Sequence, residues 1–373
     1  MASSGSNKRP GSGNRRPKPA AVGSSAAERA RERVQSQAGR PARGGQQVRR
    51  SQGKRPQARS GSRSSAMTAG IFGGGLVVVA VVVIVLISSL GGGGGSKAAG
   101  HDPYIKPFPI TAQVEKALTS VPGSALASAG TGGTGVYSVS TLGPKASGAN
   151  IVRIGSVPAT GKPVIQYVGA EYCPFCAATR WPLVIALSKF GHFTGLEQTA
   201  SSPIDAYGDT HTLTFAKASY SSPYLSFKAV EETTNECRPG SVIANSPGST
   251  PPYVCNNGNY IPLQTPTKAE IALINKYDNT TWFGALDSSG PGIPFLVFGR
   301  SYAESGALYD PQILQGANWD QIVGSFKVPN TGIGQTILAA AKQYIGMICV
   351  LTHDKPATVC GASYLKPIEK TYR

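Results

Sequence analysis

Residues 1–66 contain no aromatic residue and no cysteine. A segment without such anchors cannot bury enough apolar surface to offset its ordering entropy, so a folded domain is excluded there and disorder is expected. Residues 71–90, "IFGGGLVVVAVVVIVLISSL", contain no charge. At 1.5 Å per residue this run makes about 30 Å of helix, the thickness of a bilayer's hydrocarbon core. The chain has no repeat period and no phosphate-binding glycine motif, which argues against solenoids and nucleotide-binding loops. Histidine is scarce: His101, His192, His211 and His353 are scattered, with no paired spacing. Only one C-x-x-C occurs, so a zinc clip lacks its second half, and neither a metal nor a cofactor is expected.

What is present first is charge. Residues 1–66 hold 16 Lys or Arg against 2 acids, and the rest of the chain holds 20 against 17. The net charge of +17 therefore belongs almost wholly to the tail. A cleaved signal peptide would put its apolar core near the N-terminus, whereas here some 70 residues precede it, so a retained transmembrane helix over 71–90 is expected. The basic flank orients it with the tail cytoplasmic and the remaining chain outside, as a single-pass protein of the plasma membrane. A Gly-rich tether over 91–100 follows, spanning roughly 17 Å. The tail's expected partners are anionic lipid headgroups, each basic residue contributing about 1 kcal/mol near such a surface. Nucleic acid is disfavoured as a partner, because no aromatic interleaves the charges to stack on bases.

All six cysteines, Cys173, Cys176, Cys237, Cys255, Cys349 and Cys360, fall in the portion placed outside. An even count confined there points to disulfide chemistry in an oxidising compartment. Spacing groups them as 173 with 176, 237 with 255 and 349 with 360, although six cysteines permit fifteen connectivities. The last two pairs read as structural staples, each closing a short loop and stabilising by about 3 kcal/mol.

The first pair is different. "KPVIQYV" reads as a strand, and "CPFCAATRWPLVIALSKFG" places Phe175, Ala178, Leu183, Ala186, Leu187 and Phe190 on one face of a helix. Pro174 suits the first turn, where its missing N–H costs nothing, and Gly191 offers a C-terminal stop. Cys173 then sits at the helix start, where free N–H groups and the dipole favour a thiolate, with Cys176 one turn further in. This spacing makes Cys173 a nucleophile and Cys176 its resolver. A cysteine hydrolase using His211 or His192 as base finds no support in spacing, and a second cysteine so close would trap the nucleophile as a disulfide. A permanent structural bridge suits this small ring poorly, because it is better built for exchange.

In "SSGPGIPFLVFG", residues 288–299, Pro294 stands directly before a strand-like run, an odd place for a residue without an N–H unless the Ile293–Pro294 bond is cis. "AEYCPFC" resembles the active-site turn of the thioredoxin-like superfamily, and "GIPFLVFG" resembles its cis-proline loop and following strand. Within that superfamily, "ITAQVEKALTSVPGSALASAG", "EYCPFCAATRWPLVIALSKFG" and "YIPLQTPT" resemble a family of membrane-anchored proteins known only as a domain of unknown function. The resemblance implies an α/β thioredoxin-like fold with insertions over residues 105–373. It also implies Cys173 as attacking thiol, Cys176 as resolving thiol, and Pro294 with the Ile293 backbone as the edge gripping an extended substrate beside Tyr172 and Phe175. Two departures stand out. Thioredoxins carry a buried Asp six residues before the attacking cysteine, where this chain has Tyr167, and Glu171 beside Cys173 would oppose thiolate formation if close.

Elsewhere "TAQVEKALTSV" reads as a helix capped by Thr111, and "HTLTFAKASY" and "YLSFKAVEET" alternate like paired strands. "TPTKAEIALINKYD" starts a helix with Thr267 as N-cap and Glu270 at the capping-box position, and "NWDQIVGSF" and "GIGQTILAAAKQYIGMICVL" supply two late helices. The sequence thus points to a membrane-anchored, extracytoplasmic thiol-disulfide oxidoreductase acting on exported cysteine-containing proteins, with a membrane redox partner to recycle the pair. The rival reading is a redox-inert thioredoxin-like scaffold or binding module at the cell surface.

Overall fold

The computed structural model describes Met1 and residues 103–130, 150–283, 292–330 and 332–373. The basic tail, the span over 71–90 and the tether therefore lie outside the described residues, Met1 aside. One helix among the described residues, Gly332–Leu351, is long and apolar enough to cross a membrane, but 83% of its apolar window is buried inside the protein. It is a core helix.

The described chain is mixed α/β. Its central sheet has five strands: β1 (Ile151–Arg153), β2 (Val164–Gly169), β3 (Ser226–Glu231), β4 (Phe295–Phe298) and β5 (Tyr302–Ser305). They lie in the order β1-β5-β4-β2-β3, with β2 and β3 parallel and every other pairing antiparallel. Between β2 and β3 runs α1 (Pro174–Leu187); α2 (Lys268–Tyr277) precedes β4, and α3 (Gly332–Leu351) follows β5.

The strands alternate between two cores, because successive side chains leave opposite faces of a sheet. Ile165, Tyr167, Leu296 and Phe298 join the large core that holds α1 and α3. Val168, Phe295 and Val297 turn the other way and meet Ile274 of α2 and Phe283. With both faces covered, all four residues of β4 and all four of β5 are buried.

Helix α1 departs from its expected single apolar face, since all fourteen of its residues are buried. It lies inside the molecule, with the sheet and α3 around it, and an all-round buried helix needs no polar face. It even carries Pro182 in its interior. A proline there has no N–H to offer the carbonyl four residues back. That carbonyl, on Ala178, instead accepts a 2.7 Å hydrogen bond from the Tyr309 hydroxyl. Gly191 is not the helix cap, because α1 ends at Leu187 with Ser188 as its C-cap. A Cβ at Gly191 would stand 2.2 Å from the Ser221 carbonyl, so close approach is what demands glycine there.

The expected pairing of "HTLTFAKASY" with "YLSFKAVEET" does not occur. His211–Thr214 pairs with Glu197–Ala200, Ser219–Ser221 pairs with His192–Thr194, and β3 joins the central sheet beside β2. Period-2 alternation reports a half-buried strand and not its partner, which the tertiary path chooses. The expected helix starts are observed: Thr111 caps Ala112–Thr119, and Thr267 with Glu270 forms a complete capping box on α2. Both expected late helices form, Trp319–Gly324 and α3. The two staples are present, Cys237 bonded to Cys255 and Cys349 to Cys360.

Candidate functional site

Cys173 is the N-cap of α1, with extended backbone (φ −80°, ψ 124°), and Pro174 occupies the first turn. The strand β2 delivers the chain to this point, and the turn from Ala170 to Cys173 closes with a 3.3 Å backbone hydrogen bond. Cys173 and Cys176 are both free thiols, whereas the other four cysteines are paired. The Ile293–Pro294 bond is cis, and the Cys173 thiol points to the Ile293 carbonyl at 3.7 Å. Residues 120 apart in the chain are thus brought together, because β4 lies beside β2 with Phe295 opposite Val168.

The remaining residues expected at a substrate edge are packed around the thiols. Tyr172 is buried and stacks on Tyr260, ring centres 4.0 Å apart and planes 6° from parallel. Phe175 is 6% exposed and meets the edge of Tyr207 at 6.3 Å. Ile293 and Pro294 are buried as well.

Cys173 itself is fully buried, which reverses the expected effect of its position. Burial pushes its thiol well above the usual range, and the neighbouring Cys176 and Asp205 push the same way. A helix start contributes typically 0.3–1 kcal/mol toward an anion, roughly, whereas full desolvation shifts a group by up to about 3–5 pH units. Desolvation wins. Among the acids, Asp205 opposes the thiolate.

Glu171 belongs to a second buried group behind the thiols. Its carboxylate accepts a 2.7 Å hydrogen bond from Thr214, and burial, followed by the charge of Glu231, raises its pKa to about 7. Glu231 is held by Arg180 through two hydrogen bonds, Nε to Oε1 at 2.9 Å and Nη2 to Oε2 at 2.6 Å, both side chains being wholly buried. Arg180 Nη2 also donates to the Ala170 carbonyl at 2.8 Å. The Arg180 guanidinium lies 5.9 Å from the centre of the Tyr167 ring. Arg180 Nη1, the Tyr167 hydroxyl and Glu171 Oε2 are buried without an aligned hydrogen-bond partner. Arg180 follows Cys176 by four residues on α1, so both project from one face of the helix. The Cys176 sulfur is close enough to oppose ionisation of the buried Tyr167 and to favour the charged form of Arg180. At position 167, then, a phenol stands beside a guanidinium.

Sequence reasoning missed Asp205, Arg180 and Glu231. Arg180 left a signal, a lone charge inside the apolar run "CAATRWPLVIAL" one turn beyond Cys176. Asp205 left none. No cluster of three or more metal-binding side chains occurs among the described residues.

A family model described as a domain of unknown function, DUF929, matches residues 150–350. No curated protein and no solved structure matches the chain. The matched stretch runs from just before β1 through α3 and contains both thiols, the Ile293–Pro294 turn and the buried Arg180–Glu231 pair.

Proposed function

The chain belongs to the DUF929 family, and from that starting point we propose that it is a thiol-disulfide oxidoreductase with a thioredoxin-like core. The observation that carries this reading is the pair of free thiols at the start of α1, facing the Ile293 carbonyl, in a chain whose other four cysteines are bonded. The right order of β2, α1 and parallel β3, with antiparallel β4 and β5 alongside, supports that core, the strands between α1 and β3 being an insertion.

The chemistry is two successive exchanges. The Cys173 thiolate attacks a disulfide of an exported protein, forming a mixed disulfide and releasing one substrate thiolate. Cys176 then attacks the Cys173 sulfur, the second substrate sulfur leaves as a thiol, and the 173–176 disulfide remains, so two electrons have passed from the pair to the substrate. Running the same steps backward oxidises a substrate dithiol. Arg180 and the Tyr167 hydroxyl stabilise negative charge on the Cys176 sulfur during resolution, a role a cation and a phenol perform in place of a carboxylate. Because Cys173 is buried, the cover made by Tyr172 and the 293–294 turn opens before attack. A membrane redox partner resets the pair, and a single span over 71–90 holds the domain outside the plasma membrane.

The same burial favours a second reading, a redox-inert scaffold that binds partners through this edge. Trapping separates them. With Cys176→Ser, Cys173 attacks but its product is not released, so high-mass species that vanish on reduction should accumulate with exported proteins. If nothing is trapped, and a Cys173→Ser/Cys176→Ser chain keeps the protein's biological role, the scaffold reading replaces the enzyme.

A further inference from the structure

At the end of the central sheet remote from Cys173, a cavity of about 730 Å³ opens between the start of β2, the β4–β5 turn and α2. The register puts it there: Gly299, just past β4, donates to the Val164 carbonyl at the beginning of β2, whereas Phe295 lies opposite Val168 near its end. Among the described residues, four cations reach this cavity from four separate segments. Lys162 comes from the loop before β2, Lys228 from β3, Lys276 from α2 and Arg300 from the β4–β5 turn. Among the described residues no Asp or Glu lines it.

The four are not equivalent. Lys162 is tied to the Ser222 carbonyl at 2.6 Å, and the Lys276 ammonium sits 4.9 Å from the centre of the Tyr277 ring. The side chains of Lys228 and Arg300 have neither a hydrogen bond nor an ion pair among the described residues. Elsewhere Lys106, Lys217, Lys366 and Arg373 each meet a carboxylate. Like charges gathered without counter-charge repel one another, and an anion relieves that repulsion. The floor between them is apolar, made by Val164, Leu273 and Leu351. Ala269, Ala272, Leu273 and Lys276 of α2 all line the cavity, at the i, i+3, i+4, i+7 spacing of one helix face. Two methyl side chains at the first two of these positions leave the volume open.

We propose that this cleft binds a phosphate ester with an apolar body. Several cations from different directions match the several oxygens of a phosphate, and the Arg300 fork can take two of them at once. The apolar body lies on the floor beneath α2. A volume of this size is typical of small-molecule sites, which are mostly apolar with a few polar groups that orient the ligand. The site is independent of the thiol chemistry, since it stands on other residues at the other end of the sheet. Its ligand is either a soluble phosphate ester or a membrane phospholipid.

The test uses the full-length chain in neutral phosphatidylcholine nanodiscs. Dihexanoyl phosphatidylglycerol, a soluble probe, is titrated while acylation of Lys228 and Lys276 is followed by peptide mapping. Saturable protection of both amines is expected, with inorganic phosphate protecting far more weakly because it lacks the apolar body. Lys228→Glu with Arg300→Glu, two exposed changes, should weaken the protection by about tenfold or more, since each tenfold corresponds to about 1.4 kcal/mol. Ala272→Trp keeps every charge and fills the cleft, and it too should abolish protection. Discs that contain phosphatidylglycerol should already protect the lysines if a membrane lipid is the source; unprotected lysines that still respond to soluble probe assign the site to a soluble ester. Absence of protection by any probe overturns the proposal, and so does protection that survives both variants or is matched by inorganic phosphate.

Discussion

At the carboxyl end of β2 the ionisable groups are out of water: Cys173, Cys176, Glu171, Arg180 and Glu231 are each 1% exposed or less. At the other end of the same sheet Lys162, Lys228, Lys276 and Arg300 are all exposed around an open cavity. Charge buried beside α1 must be matched within the protein, and Arg180 accordingly grips Glu231 with two short hydrogen bonds. Charge at the open end can be matched by water or by a ligand, and there no carboxylate among the described residues lines the cavity. The contrast teaches that the two regions carry different costs. Removing one partner at the buried end strands the other, whereas removing a cation at the open end strands nothing.

The largest expected effect tests that asymmetry at the buried end. Glu231→Ala leaves a desolvated guanidinium unmatched, and it should destabilise the fold by about 3–5 kcal/mol in denaturant unfolding. Replacing both Arg180 and Glu231 with leucine should cost markedly less, because no lone charge remains. If the single variant is as stable as the double, the buried end is wetter than its exposure implies and the comparison breaks.

A smaller effect comes from pH. Burial raises Glu171 from the ordinary 4.5 to about 7 and Glu304 to about 8. Between the unfolded and folded values the folded state binds more protons, so stability is greatest below about 4.5 on this account and falls as pH rises through 7 to 8. For Glu171 the loss is roughly 3 kcal/mol, from the conversion of about 1.36 kcal/mol per pH unit. Glu171→Gln should remove that part of the slope, measured as unfolding free energy between acidic and mildly alkaline pH. A slope unchanged by the substitution would show that Glu171 is already ionised in the fold.

The smallest effect sharpens the other half. Lys228→Glu, at an exposed and unpaired position, should change stability by no more than about 0.5 kcal/mol. A loss of several kcal/mol in thermal or denaturant unfolding would mean that the open end is part of the structural core.

Much of this was legible along the chain because its causes are local. The start of α1 follows from Pro174 and the apolar run after it, the start of α2 from Thr267 and Glu270, and the two staples from short cysteine spacings. Pro294 before a strand marked the turn that meets Cys173. The pairing of "HTLTFAKASY" is not legible along the chain, because alternation marks a face, not a neighbour. Asp205 beside Cys173 was invisible, since nothing in "SSPIDAYGD" distinguishes a carboxylate that will meet a thiol from one that will face water.

The capped helix starts, with Pro174 and the Thr267–Glu270 box, were legible in the chain because they rest on backbone chemistry within a few residues, whereas the meeting of Cys173 with the Ile293–Pro294 turn, 120 residues away, needed β4 to pair with β2. The environment of those groups depends on how distant segments pack. Solvent exclusion is collective: α3, the sheet and the loops around Tyr172 and Tyr260 together remove water from Cys173, and that removal outweighs the helix start that its sequence position provides. The cation cleft is collective too, because four segments far apart in the chain must converge before their charges share one cavity.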